Sequence, residues 1–145
     1  MNKFSQIIKY LTKNFYIILA ILIVLFIISG FINEKIWIGK MLTRPKYTIA
    51  IATTDWHQKN NNGVGTDYSY KINNKVYNET TGFSYRKGDK FLIIYDSLKP
   101  KNVQTLALYP VPEDYTGLKI PKNGWKYQEV PFNIDSNVIR KYLTD

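Results

Sequence analysis

The chain has no cysteine and a single histidine in 145 residues. Without thiols there is no disulfide framework, no thiolate nucleophile, no lipid-bearing cysteine and no Cys-ligated zinc or iron–sulfur centre. One imidazole is a poor start for a zinc site, which takes three or four N, S or O ligands. Glycine is sparse, and Gly63-Val64-Gly65 lacks the third glycine, the Lys-Ser/Thr pair and the following amphipathic helix of a phosphate cradle. No Gly-x-Ser-x-Gly elbow is present to use His57 in a hydrolase triad. The sequence therefore calls for no cofactor and no metal. Acidic residues are missing from the first 33 positions.

The net charge of +9 and a pI near 9.6 favour anionic partners such as lipid headgroups. The surplus is scattered rather than gathered in one run, as expected of a basic solvated surface. Phe15 to Ile32 carries no charge. At 1.5 Å per residue its roughly 18 residues reach about 27 Å, close to the hydrocarbon thickness of a bilayer. It is apolar on all faces, and the rest of the chain is too small to bury it, so a transmembrane helix is predicted. Its length exceeds a signal-peptide core and Ile28-Ser29-Gly30 lacks a small-x-small edge, so the anchor is expected to be retained.

The flanks suit a membrane interface. Phe4, Ile7, Ile8 and Leu11 form an apolar stripe accompanied by Lys3, Lys9 and Lys13. Beyond the run, Lys35 and Lys40 can snorkel and Trp37 stands at belt position. Gly39 and Arg44-Pro45 are expected to end the helical stretch. The basic residues on the two sides nearly balance. A first long apolar run after a short basic segment reads as a signal anchor, with the N-terminus inside and the domain extracytoplasmic.

From Tyr47 the periodicity turns to alternation, predicting a strand over 47–54. A polar Asn-rich loop follows at 58–63, then a strand through Tyr68, Tyr70 and Ile72, a two-residue turn at Asn73-Asn74 and a return strand over 75–81. Phe91 to Tyr95 is a continuous apolar run of strand length, expected to be buried on both faces. A loop over 96–102, a strand over 103–109 and an irregular Pro/Gly-rich stretch come next. Asp135 or Ser136 is placed to cap a terminal helix over 137–143 with Val138, Ile139 and Tyr142 inward. The organisation is thus a basic N-flank (1–14), a transmembrane helix (15–32), an interfacial linker (33–46) and a β-rich domain (47–145). The class is α+β membrane protein: one N-terminal transmembrane helix, a small antiparallel sheet, curled or barrel-like, and a short C-terminal helix.

Tyr68-Ser69-Tyr70-Lys71-Ile72-Asn73-Asn74-Lys75-Val76-Tyr77, then Lys87-Gly88-Asp89, then Leu92-Ile93-Ile94-Tyr95-Asp96 and Leu98-Lys99-Pro100-Lys101-Asn102, resembles small bacterial membrane proteins of the DUF3592 type. In that pattern Ser97 stands in place of a proline and Lys99 in place of an asparagine. The resemblance covers about 35 residues. It implies a membrane-attached β domain of a bacterial envelope, with a second membrane helix that these residues do not supply, and it implies no activity.

Few residues suggest chemistry. His57 in Asp55-Trp56-His57 reads as a loop histidine. Glu113-Asp114 are adjacent acids, which more often point apart than flank a substrate as paired carboxylates do. Tyr68, Tyr70, Arg86, Lys87 and Trp125 interleave aromatic and basic character and are the expected partner surface. No nucleic acid is expected. The function expected is a non-enzymatic binding or scaffolding domain at a membrane surface, touching lipids through the helix and an unidentified protein through the domain. The alternatives are a small immunity or accessory protein blocking a toxin or membrane enzyme, and an envelope-polymer hydrolase using His57 with Glu113 or Asp114.

Overall fold

The computed structural model describes residues 6, 9, 11–59 (Lys59 by its backbone), 63–112 and 117–145. The chain divides into two compact units, Met1–Trp37 and Ile38–Asp145. Helix α1 spans Phe15–Thr43. The run from Phe15 to Ile32 is helical throughout, and its apolar window is exposed along its length. One helix near the N-terminus is long and apolar enough to span a membrane. The helix does not stop at Gly39. It runs through most of the expected linker, because Gly costs a helix about 1 kcal/mol while Met41 and Leu42 gain burial in the core of the second unit. Pro45 ends it by forcing Arg44 out of helical geometry.

Among the described residues six strands form one antiparallel sheet: β1 Pro45–Ala52, β2 His57–Lys59, β3 Gly63–Ile72, β4 Lys75–Thr81, β5 Lys90–Asp96 and β6 Lys99–Pro110. β1 and β2 pair in turn with β3, Ala52 opposite Tyr68 and His57 opposite Gly65, so they act as one strand bent at 53–56. β4 flanks β3, and β5 and β6 extend the sheet beyond β1. The sheet curls into a half-barrel. Asn73 and Asn74 take φ of 50° and 65°, the left-handed pair a tight hairpin turn requires. The expected loop over 96–102 shrinks to Ser97-Leu98. β6 already starts at Lys99, and Pro100 is tolerated because β6 is an edge strand.

Every residue from Phe91 to Asp96 is buried, so β5 separates two cores. Leu92 and Ile94 join Tyr47, Ile49, Leu106, Trp125, Ile134 and Ile139 on one face. Phe91, Ile93 and Tyr95 join Ala50, Ala52, Tyr68, Tyr70 and Ile72 on the other. The first face is covered by the C-terminal segment, which holds a 3-10 turn at Tyr127–Glu129 and helix α2, Ser136–Thr144. Asp135 caps α2, its carboxylate accepting from the amides of Asn137 and Val138. Ile139 packs inward as expected, but Val138 is 46% exposed, since only one narrow stripe of so short a helix reaches the sheet.

Trp125 is not surface. It is 4% exposed, and its backbone exchanges both hydrogen bonds with Tyr47 at 2.9 and 2.8 Å. Gly124 makes that approach possible: its φ is +68°, and a Cβ there would come within 2.6 Å of the Tyr47 carbonyl and the Tyr95 hydroxyl. Replacing Ile94 by Ala removes a fully buried side chain from the first core and should cost about 2–5 kcal/mol. Gly124→Ala should destabilise too, through strain. Both are read by chemical denaturation, whereas Val138→Ala should leave the midpoint in place.

Candidate functional site

Arg44, the first residue after α1, lays its guanidinium fork on Asp96, the last residue of β5. Nε and Nη2 donate to the two carboxylate oxygens at 2.5 and 2.9 Å. The Asp96 side chain is fully buried, and Arg44 remains partly exposed. Asp96 Oδ1 also accepts from the Leu98 amide at 2.9 Å, and the Ser97 amide donates to the Arg44 carbonyl at 3.3 Å. The hydrogen bonds from Arg44 hold the Asp96 carboxyl below the usual carboxylate range despite burial, and Asp96 raises the guanidinium in return. The end of the helix, the start of β1 and the β5–β6 hairpin are thereby tied at one point.

The partner surface expected at Tyr68 and Tyr70 is core instead. Both are 3% exposed. Their rings line the concave side of the half-barrel, Tyr70 stacked on Tyr77 and Tyr68 edge-on to Phe91. Tyrosine suits this place because its ring fills the curl while its hydroxyl reaches a distant acceptor. Tyr70 donates to the Pro100 carbonyl at 2.8 Å, and Tyr68 shares a hydrogen bond with Thr105. Both partners lie on β6, with β1 and β5 between it and β3 in the sheet order. Burial pushes the phenols of Tyr68 and Tyr95 up to about 12, and the Tyr95 hydroxyl donates to the Asn123 carbonyl at 2.6 Å. Arg86 and Lys87 are exposed, in the turn before β5. On α1, Lys35, Trp37 and Lys40 are exposed where interface residues were expected, as are Lys9 and Lys13 before it.

His57 opens β2 rather than sitting in a loop. Its Nδ1 lies 2.9 Å from the Asp55 carbonyl, and its Nε2 lies 3.9 Å from an Asp67 carboxylate oxygen. The other Asp67 oxygen accepts from Thr80 at 2.6 Å. Both ring nitrogens thus face acceptors, an arrangement that positions the bent β1–β2 arm against β3. Glu113 and Asp114 lie outside the described residues. Among the described residues no group of three or more His, Asp or Glu side chains converges as a metal site.

The described residues also form surface depressions. A cleft of about 460 Å³ lies among Tyr109, Tyr127 and residues 133–137. Its hydroxyls are occupied in holding the backbone before α2: Tyr127 donates to the Ile134 carbonyl at 2.7 Å and Tyr109 accepts from the Asp135 amide at 3.0 Å. Another, about 360 Å³, is more apolar and lies over β1 and β3, with Ile49, Ile51, Tyr70, Val76, Ile120 and Pro121 in its lining. No family model, curated protein or solved structure matches the chain.

The sequence marked Arg44 only as part of a helix end and Asp96 only as the end of a strand pattern, and nothing local links two residues 52 positions apart. Arg44→Ala should lower the thermal midpoint by leaving the Asp96 carboxylate buried and unpaired. Adding Asp96→Asn should restore much of the loss. Because the folded Asp96 pKa is depressed, its stabilisation is complete above the unfolded value of about 3.9 and is lost as pH falls through the folded pKa. Melts of the wild type should therefore fall off more steeply below about pH 4 than those of Asp96→Asn.

Proposed function

We propose that the chain is a single-pass membrane protein whose β domain, on the extracytoplasmic side, is a non-enzymatic binding or scaffolding module. The partner is a protein that adds an extended segment to the edge of β4. The observation that supports this reading is the sheet order: among the described residues β4 pairs with β3 alone, leaving a seven-residue edge. Lys75, Val76 and Asn78 are exposed along it. An incoming strand would hydrogen-bond through its backbone to this edge. Tethering by α1 raises the local concentration, so a modest interface suffices.

A photo-crosslinking residue at Asn78, carried by the full chain in its membrane, should give a reproducible protein adduct, while the same group at Arg86 should not. No adduct at Asn78, or equal adducts at both positions, would sink the edge-pairing reading. Orientation is tested separately. With no native cysteine, Lys87→Cys should react with a membrane-impermeant maleimide in intact cells; reaction only after permeabilisation reverses the orientation.

A further inference from the structure

Among the described residues the sheet has two long edge strands, β4 and β6, and they are built differently. β6 opens with Lys99, Pro100 and Lys101, and its register against β5 shifts twice. Lysine, proline and irregular pairing are devices that keep an edge from accepting another strand. β4 holds no proline, and its register against β3 runs unbroken from Lys75 to Thr81. Its edge is left regular and fit for a further strand.

The hairpin fixes which backbone groups that strand would meet. Asn73 and Asn74 form a two-residue turn, so the flanking pair Ile72 and Lys75 exchanges backbone hydrogen bonds. Alternation then turns the amides and carbonyls of Lys75, Tyr77 and Glu79 toward β3, and those of Val76 and Asn78 away from it. Side chains alternate with the same period. Lys75, Tyr77 and Glu79 share the face of Tyr68 and Tyr70, and Tyr77 stacks on Tyr70 at 5.3 Å.

Lys75 and Glu79 stand two positions either side of Tyr77. Strand rise holds them about 13 Å apart, too far to pair with each other. The ion pairs among the described residues are Arg44–Asp96 and His57–Asp67, so neither charge is matched within the chain. A second β4, laid antiparallel about a two-fold axis through Tyr77, gives both a partner. Lys75 of each copy lies opposite Glu79 of the other. These are non-hydrogen-bonded pairs, whose Cα atoms approach to about 4.5 Å and whose side chains lie closest. Val76 lies opposite Asn78, and their outward backbone groups meet. Tyr77 meets its own copy at the axis and extends the aromatic row that Tyr70 begins. The charge pattern and the hydrogen-bond alternation thus fit the same register.

We propose that the strand added to β4 is β4 of a second copy, so that one sheet continues through two β units about a two-fold axis at Tyr77. The inference rests on the edge-pairing reading and names its partner. A contact of this kind uses the same patch on both copies and closes, leaving no β4 edge for further growth.

The test uses the full chain in its membrane, expressed as two differently tagged copies. With no native cysteine, Lys75→Cys in one copy and Glu79→Cys in the other report the register. Mild oxidation should link this mixed pair several-fold more than either variant expressed with itself, because the axis holds like positions about 13 Å apart. A photo-crosslinker at Asn78 should give an adduct carrying both tags. Lys75→Glu in both copies should lower that adduct several-fold, and combining a Lys75→Glu copy with a Glu79→Lys copy should restore it. Equal disulfide yields in all combinations, or no recovery on charge exchange, overturns the proposal. An Asn78 adduct that holds another protein and never both tags overturns the second-copy inference and leaves edge pairing standing. No adduct at Asn78 overturns the edge reading and this inference with it.

Discussion

The Arg44–Asp96 pair is the constraint from which the β unit is organised. A chain that leaves its helix at Pro45 still has to be held to the sheet it enters. Within the β unit the guanidinium fork ties the residue before β1 to the last residue of β5, because two parallel hydrogen bonds fix direction as well as distance. The buried carboxylate has a second duty in shaping the hairpin tip through the Leu98 amide. Lysine at position 44 would keep the charge and lose the planar geometry.

The sheet then solves a problem of size. Fewer than 110 residues must enclose a stable interior, and a half-barrel has an open side. Burying β5 on both faces makes one strand serve two cores. The C-terminal segment covers one of them. Tyrosines close the other, their hydroxyls crossing from β3 to the Pro100 carbonyl and Thr105 on β6 where no strand ladder joins the two. The polar ends of these rings replace a missing edge-to-edge pairing.

Features governed by neighbouring residues were legible in the sequence. The apolar length of Phe15–Ile32, the unbroken run of β5, the Asn73-Asn74 turn and the Asp135 cap each follow from local periodicity or a single side-chain preference. Features settled by distant residues were not. Tyrosine is at home in a core or on a surface, and what buries Tyr68 and Tyr70 is acceptors more than 29 positions ahead, as Pro100 is from Tyr70. Trp125 looked like a surface anchor beside lysines until Tyr47 supplied its bridge. Gly39 looked like a helix end because propensity carries no information about Met41 and the core that rewards continuing.

The pairing of β1 with β5 also has a temporal side. Pro45 sits opposite Asp96, with β2, β3 and β4 between them in the chain. During synthesis at about 5–20 residues per second, β1 leaves the ribosome several seconds before its central partner exists. Over that interval α1 and β1 to β4 are already made, and β3 and β4 have each other as partners across the Asn73-Asn74 turn. Tyr47 and Ile49 on β1 wait longer still, since Trp125, Ile134 and Ile139, which pack with them, come after β5. The carboxylate that pairs with Arg44 is made only after β1 to β4.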